Sequence, residues 1–531
     1  MLSHINIEQP RSNRFLAQLN KLSRNPWPVT FHDGQVIRQY LKDAGKDLES
    51  YEIEIQKLKA TILTLETLQT GVRKAMERYG TLLAPVHRLP SDVLLEIFGH
   101  LCERNQLDRN YRMLPAVSTL ASVCSRWREV AISTPVLWSS FTIDFDYWAV
   151  YHGSDGTGTL AELTRLFLER SKTTPLDIGL SFPLDWLTEL DLAPTLDLLH
   201  ANSSRWRKLE TFYSEWIASP RAGLLHTPNL QHLTLITRVP WENNNTTDVL
   251  DRFAGCPVLT SVHLDLEGPE LMLSLPWSQL RIMHLDNCES QPAFSAITRC
   301  SNLQKLTLEG INDDRRPYVG SAIVSNTITS LSMQGDVAKG REANIALVQH
   351  LSLPNLSYFE VVNDSIHTPR QEPSYDAMHL VQFITRSRCS LTSLRLKSVS
   401  LTDTEVFSLL CLMPALENLD IGEYPGLETN RIITRTFSDH LFLDQRASDT
   451  SHATLLPRLA ELKLSIHSNG LDEQALSDAL TSRWAAASHS LSVVEIALIA
   501  KEKPPAGPLA SLQCFSHVGL RFTLSHVPNI A

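Results

Sequence analysis

One spacing recurs ten times between residues 230 and 496: apolar, two others, apolar, one other, apolar. It runs through Leu230/Leu233/Leu235, Leu259/Val262/Leu264, Leu280/Met283/Leu285, Leu303/Leu306/Leu308 and Ile328/Leu331/Met333. It continues through Leu356/Phe359/Val361, Leu391/Leu394/Leu396, Leu416/Leu419/Ile421, Leu459/Leu462/Leu464 and Leu491/Val494/Ile496. The last two members of each triplet stand two residues apart, the period of a strand that buries one face. Successive starts lie 29, 21, 23, 25, 28, 35, 25, 43 and 32 residues apart. Several of these intervals fit a stacked-repeat period of 20–29 residues, and the longer ones imply inserts.

Leucine content alone inflates such matches. With 83 leucines in 531 residues, strict Leu-x-x-Leu-x-Leu should arise by chance about twice; it occurs four times among these units. Proline carries more information. Pro228, Pro257, Pro354, Pro414 and Pro457 each sit two residues before the first apolar position. A proline there stops a preceding helix and re-aims the chain into the strand. Helices are expected between strands at Asp248–Ala254, Tyr375–Thr385 and Glu405–Leu412, the last opened by a Thr402-x-x-Glu405 capping-box spacing. The unit resembles a leucine-rich repeat. The Asn or Cys usual three residues after the third leucine occurs only at Asn287-Cys288, so an irregular solenoid is expected. Upstream, a helix near Leu160–Arg170, a strand at Leu176–Leu180 and a helix-to-strand unit at Leu198–Leu209 extend the pattern.

A second period lies near the N-terminus. Leu41, Leu48, Ile55, Ile62, Gln69 and Met76 recur every seven residues, and Tyr51, Leu58, Leu65, Val72 and Tyr79 follow three behind. That is the a/d seam of a coiled coil, and the simplest partner is a second copy, parallel or antiparallel.

Between the two periods, Leu89-Pro90 opens an apolar helix carrying Val93, Leu94, Ile97, Phe98 and Leu101 on one face. A polar insert around 103–112 precedes a second apolar helix, Val117–Ala131, and the close Pro135-Val136-Leu137-Trp138. So much apolar surface on about 55 residues implies that a partner buries part of it. Leu89-Pro90, Ile97-Phe98, Val123-Cys124-Ser125-Arg126-Trp127-Arg128 and Pro135–Trp138, in that order, resemble the F-box. With the heptads running into it, the arrangement also resembles F-box proteins abundant in mushroom-forming fungi. The insert is longer than the family's usual connection. The resemblance implies docking onto the Skp-type adaptor of an SCF-type cullin–RING ubiquitin ligase. Leu89, Pro90, Leu94, Ile97, Phe98 and Leu101 would supply the first part of that surface. Val123, Cys124, Trp127, Leu137 and Trp138 would supply the rest or pack beneath it. Pro90, Phe98 and Trp127 are the candidate anchors, since rigid and aromatic residues dominate interface energetics.

Other function classes lack support. Twenty-one glycines exclude collagen-like and linker-type chains, and a net charge of −10 offers no basic footprint for nucleic acid or an anionic membrane. The eight cysteines form no zinc or disulfide spacing, the N-terminus lacks a signal-peptide profile, and no window approaches a membrane span. A cytoplasmic or nuclear setting is expected. The glycine-rich run His152–Gly158 lacks the Gly-Lys-Ser/Thr ending of a phosphate loop. No catalytic motif, metal site or cofactor site assembles, and Trp186, Trp206, Trp216, Trp241 and Trp277 are expected to pack between repeats.

The expected fold is α/β: a flexible tail (1–38), a coiled-coil helix (39–80), a small all-α F-box (85–141) and an irregular leucine-rich-repeat solenoid (158–531). Residues flanking the buried strand positions should face the open side of the sheet. His263, Asp265, His284, Asp286, Thr307, Glu309, Arg395, Lys397, Asp420 and Lys463 therefore form a candidate protein-binding face, acidic toward the middle and basic at Arg395 and Lys397. The leading reading is a non-catalytic substrate receptor of a ubiquitin ligase for an unspecified protein. A repeat scaffold whose F-box works outside a ligase and a hydrolase assembled from distant residues are the alternatives.

Overall fold

The computed structural model describes residues 20, 23–24, 30–107, 115–145, 157–182, 192–212, 225–236, 252–265, 275–311, 318, 320–336, 345–364, 377–399, 401–424, 431–443, 455–485, 491–500 and 507–528. Trp186, Trp216, Trp241, residues 152–156, 108–112 and 248–251, and most of the expected tail lie outside them. The chain divides into two compact units, Met1–Leu94 and Leu95–Ala531.

The first unit is dominated by α1 (Phe31–Leu82, 52 residues), which starts eight residues before the expected boundary. At 1.5 Å per residue it is about 78 Å long. Thr61, Thr64, Thr67 and Thr70 turn back along the helix, each hydroxyl donating to the carbonyl four residues back. The helix stops before Ala84-Pro85, because proline disfavours helical backbone in the residue preceding it; a 3-10 turn, Pro85–Arg88, follows. From Leu48 to Gly80 every side chain of α1 is exposed. The unit's last residues begin α2 (Ser91–Leu101).

The second unit is built on one parallel sheet whose strands follow chain order: β1 (Asn105–Gln106), β2 (Ser140–Asp144), β3 (Leu176–Ser181), β4 (Trp206–Phe212), β5 (His232–Ile236), β6 (Ser261–Asp265), β7 (Ile282–Asp286) and β8 (Lys305–Glu309). The sheet continues with β10 (Ser330–Asp336), β12 (Tyr358–Asp364), β13 (Ser393–Lys397), β14 (Asn418–Gly422), β15 (Glu461–His467), β16 (Val493–Ala500) and β17 (Arg521–Pro528). The short β9 (Ile323–Val324) and β11 (Leu351–Ser352) pair separately. Helices α3 (Ala116–Val123), α4 (Ser125–Ser133), α5 (Thr157–Arg170), α6 (Ala193–Ala201) and α7 (Ser290–Arg299) lie between strands. So do α8 (Ala377–Ser387), α9 (Asp403–Leu410), α10 (Arg435–Leu441) and α11 (Glu473–Ala485). Within the long sheet each strand pairs in parallel with the next one in the sheet, as a solenoid requires, with one register shift at Leu176/Asp177 in the β3–β4 pair.

All ten triplets coincide with strands and their lead-ins. None of their thirty apolar residues is more than 3 % exposed. Fully burying such a side chain contributes roughly 1.5–3 kcal/mol, which makes this ladder the main source of stability. The five prolines open the two-residue turns that precede β5, β6, β12, β14 and β15. In four of them the first apolar residue donates its N–H to the carbonyl three back, as at Leu230→Thr227 (3.3 Å) and Leu416→Met413 (3.1 Å). Proline's fixed φ suits the second position of such a turn. Past the strands the chain turns through left-handed backbone at Asn287, Gly310 and Ser398. The Thr402–Glu405 capping box is present and opens α9. At the site of the helix expected over Asp248–Ala254, residues 252–254 form a turn.

Buried and half-buried guanidinium groups tie the opposite layer together. Arg483, 4 % exposed, donates to the carbonyls of Leu441 (2.6 Å), Leu456 (2.9 Å) and Leu455. Burial pulls its pKa down to about 10. Arg386 reaches the carbonyls of Leu351 and Val348 (each 2.6 Å), and Arg205 reaches Thr174 and the Ser171 hydroxyl. The planar fork of N–H donors lets one guanidinium satisfy several carbonyls at once.

Candidate functional site

Two surfaces hold the residues singled out by sequence: the helical segment near 89–138 and the polar face of the sheet. In the first unit, Leu89 is half-buried, Pro90 is exposed, Val93 is 43 % exposed and Leu94 is wholly buried. In the second, Ile97 (41 %) and Leu101 (56 %) form an exposed pair one turn apart on α2, while Phe98 is wholly buried. Phe98, expected as an anchor on the surface, packs edge-on against Trp127 with ring centroids 4.9 Å apart. Trp127 itself stays half-buried.

The single helix expected over Val117–Ala131 is two helices. Cys124 sits between them in extended backbone (φ −155°) and caps α4, its Sγ accepting from the Trp127 N–H at 3.5 Å. Val123, just before the break, is 57 % exposed. Leu137 and Trp138 are core rather than surface. The Trp138 indole donates to the Ala131 carbonyl (2.7 Å), meets Phe167 edge-on at 5.0 Å and lies under the Arg170 guanidinium at 4.7 Å.

The segment is also not all-helical. Its polar insert forms β1, and the stretch after Trp138 forms β2, so it supplies the first two strands of the sheet. Asn105, wholly buried, organises this junction and was missed by sequence reasoning. Its amide donates to the carbonyls of Cys102 (3.2 Å), Leu137 (2.9 Å) and Ser140 (3.0 Å) and accepts from the Val117 N–H (3.0 Å). A lone Asn in a polar insert carries no periodic signal. Cys102 beside it is buried, which pushes its thiol pKa up to about 11 and keeps it protonated.

On the sheet face, register aligns His263, His284, Thr307, Ser332, Glu360, Arg395, Asp420, Lys463 and Glu495 in one row. Asp265, Asp286, Glu309 and Lys397 occupy the next row outward. Asp265 (4 % exposed) and Thr307 (8 %) are buried instead of solvent-facing. Both are short side chains in a closely spaced parallel ladder. His263 and His284 stack with centroids 3.8 Å apart, and His284 Nε2 lies 3.0 Å from a Glu309 carboxylate oxygen. Burial, helped by the neighbouring His284, lowers the His263 pKa to about 4.

The expected basic patch is neutralised internally. Arg395 pairs with Glu360 (2.9 Å) and Asp420 (3.2 Å), Lys397 pairs with Asp420 (2.5 Å), and Lys463 bridges Glu461 (3.0 Å) and Glu495 (3.4 Å). Ser332 donates to the other Glu360 oxygen at 2.7 Å. Ser332 and Glu360 stand at the triplet offset used for the other face residues, so the same rule applied to every unit finds them. Among the described residues no group of three His, Cys, Asp or Glu could hold a metal ion.

Comparison with known families identifies an F-box-like domain at residues 86–144. F-box domains recruit Skp- and cullin-type partners in SCF ubiquitin ligases, and proteins carrying them are non-catalytic adaptors. No curated protein matches the chain. Among solved structures, a crystal structure of a Bacteroides fragilis protein from a structural-genomics programme aligns at 13 % identity and a TM-score of 0.26. The alignment covers 56 % of this chain and 66 % of that one, just under two thirds of its length.

Proposed function

We propose that the chain is the substrate-receptor subunit of an SCF-type ligase, holding the Skp-type adaptor at 85–141 and a target protein on the sheet face of 158–531. The observation that carries this reading is an F-box-like domain whose Ile97, Leu101 and Val123 are exposed. Apolar side chains left bare on a helical module are the surface a partner buries. The mechanism is proximity: tethering adaptor and target to one rigid sheet raises the effective concentration of target lysines near the charged E2. Target recognition falls to the stacked histidines with Glu309 and Asp286 at one end and to the ion-paired row of Arg395, Asp420 and Lys463 at the other. Helix α1 pairs with a second copy. The likeness to F-box proteins of mushroom-forming fungi and a reducing cytoplasmic or nuclear setting complete the reading; the eight cysteines are all free thiols.

The test is affinity purification of the full chain and of the Leu89→Ala/Pro90→Ala double variant, followed by mass spectrometry. Loss of adaptor and cullin with retention of other partners supports the reading, and undiminished adaptor recovery overturns it. Adaptor without cullin, or targets whose turnover does not change, would indicate a scaffold outside a ligase.

A further inference from the structure

Resting on the reading that α1 pairs with a second copy, we infer that the pairing is antiparallel, with Ile62 of each copy layered against Leu65 of the other. The seam is fully exposed, with Leu48, Ile55, Ile62, Leu65 and Val72 each at least 45 % bare, so its charged flanks decide the arrangement. Those flanks follow from the seam positions. Glu52, Lys59, Glu66 and Arg73 each come one residue after the Tyr51, Leu58, Leu65 and Val72 series. Asp47, Glu54, Thr61, Leu68 and Ala75 each come one before the Leu48, Ile55, Ile62, Gln69 and Met76 series.

In a parallel, in-register dimer each residue of the second set faces the first-set residue five further on. Glu54 then meets Lys59, but Asp47 meets Glu52, so every attraction is matched by a repulsion. In an antiparallel dimer like sets face each other. The Ile62–Leu65 register brings Glu52 to Arg73 and Lys59 to Glu66, each twice by symmetry, while Glu54 faces Ala75 and Thr61 faces Leu68. Slipping one heptad one way sets Lys59 on Lys59 and Glu52 on Glu66. Slipping the other way sets Glu66 on Glu66 and Lys59 on Arg73. Only the chosen register among these is free of like-charge contacts. Gln69 favours the parallel form, where it would meet its own copy instead of Leu58. That is one layer against two repulsions removed and two attractions added.

An antiparallel coil has a consequence for assembly. The two Leu82 ends stand roughly 55 Å apart at 1.5 Å rise per residue, so the F-box-like domains that follow leave from opposite ends and two adaptors can be held without crowding.

The experiment is sedimentation equilibrium on the full-length chain, with circular dichroism to confirm that α1 stays helical. Glu52→Arg should weaken the dimer roughly tenfold, since two attractions become two repulsions, and Glu52→Arg/Arg73→Glu should restore it. A tighter dimer for Glu52→Arg is the parallel outcome, because Asp47 would then gain a partner, and it overturns the inference. So does an unchanged dimer. A wild-type chain that stays monomeric at tens of micromolar overturns the pairing itself.

Discussion

Helix α1 and the repeat sheet spend the same residue type in opposite ways. The triplet leucines of the sheet are at most 3 % exposed, whereas Leu48 and Leu65 of α1 are 68 % and 59 % exposed. In the sheet the triplet side chains are buried within their own chain; along α1 the heptad side chains from Leu48 onward stand exposed. The difference teaches that leucine content reports burial only together with its period: a strand period within a repeat is buried intramolecularly, whereas the heptad period of α1 leaves its leucines exposed. The F-box-like domain sits between these cases, with Leu94, Phe98 and Trp138 buried and Ile97, Leu101 and Val123 bare.

The contrast can be broken by substitution. Phe359→Ala, in the sheet core, should cost about 4 kcal/mol in chemical denaturation, from lost transfer energy and the cavity left behind. A cost below about 1 kcal/mol would mean that the ladder is not the core. Asn105→Ala should cost about 3 kcal/mol, since it leaves buried backbone groups at the junction of helices and sheet unsatisfied. Hydrogen exchange should place the loss at β1, β2 and the start of α3.

Titration gives a smaller effect. The folded-state pKa of His263, about 4, lies below the ordinary value of 6.5. Its contribution is therefore complete above pH 6.5 and is lost as pH falls through 4, because the unfolded chain takes up the proton first. The wild type should lose about 2 kcal/mol more than His263→Gln between pH 7 and 4. Equal losses would place the imidazole in water. Smallest is the bare surface: Ile97→Ala with Leu101→Ala should change stability by less than about 0.5 kcal/mol while lowering adaptor affinity at least about tenfold, read by titration calorimetry. Stability loss without affinity loss would move these residues from interface to core.

Much of this fold is legible in the sequence alone. The triplets, the five prolines and the Thr402–Glu405 box rest on local spacing, and strands, turns and a capped helix stand at those positions. The F-box pattern was equally local, and the domain match covers it. What local spacing missed was non-local. Cys124 breaks a helix whose apolar pattern runs on through it. The polar insert joins a sheet more than thirty residues away, and Arg483 crosses between segments to collect three carbonyls.

By itself, the sequence determined the repeat register, the heptad spacing and the presence of an F-box-like domain, because each is a periodicity or a short motif read along one strand or helix. Only the tertiary structure decided that Phe98 and Trp138 are core while Ile97 and Leu101 are surface, that Asp265 and Thr307 are covered, and that Glu360 and Asp420 neutralise Arg395 and Lys397. Exposure and net charge at a point depend on what distant segments bring beside it, and that is set by packing across the sheet.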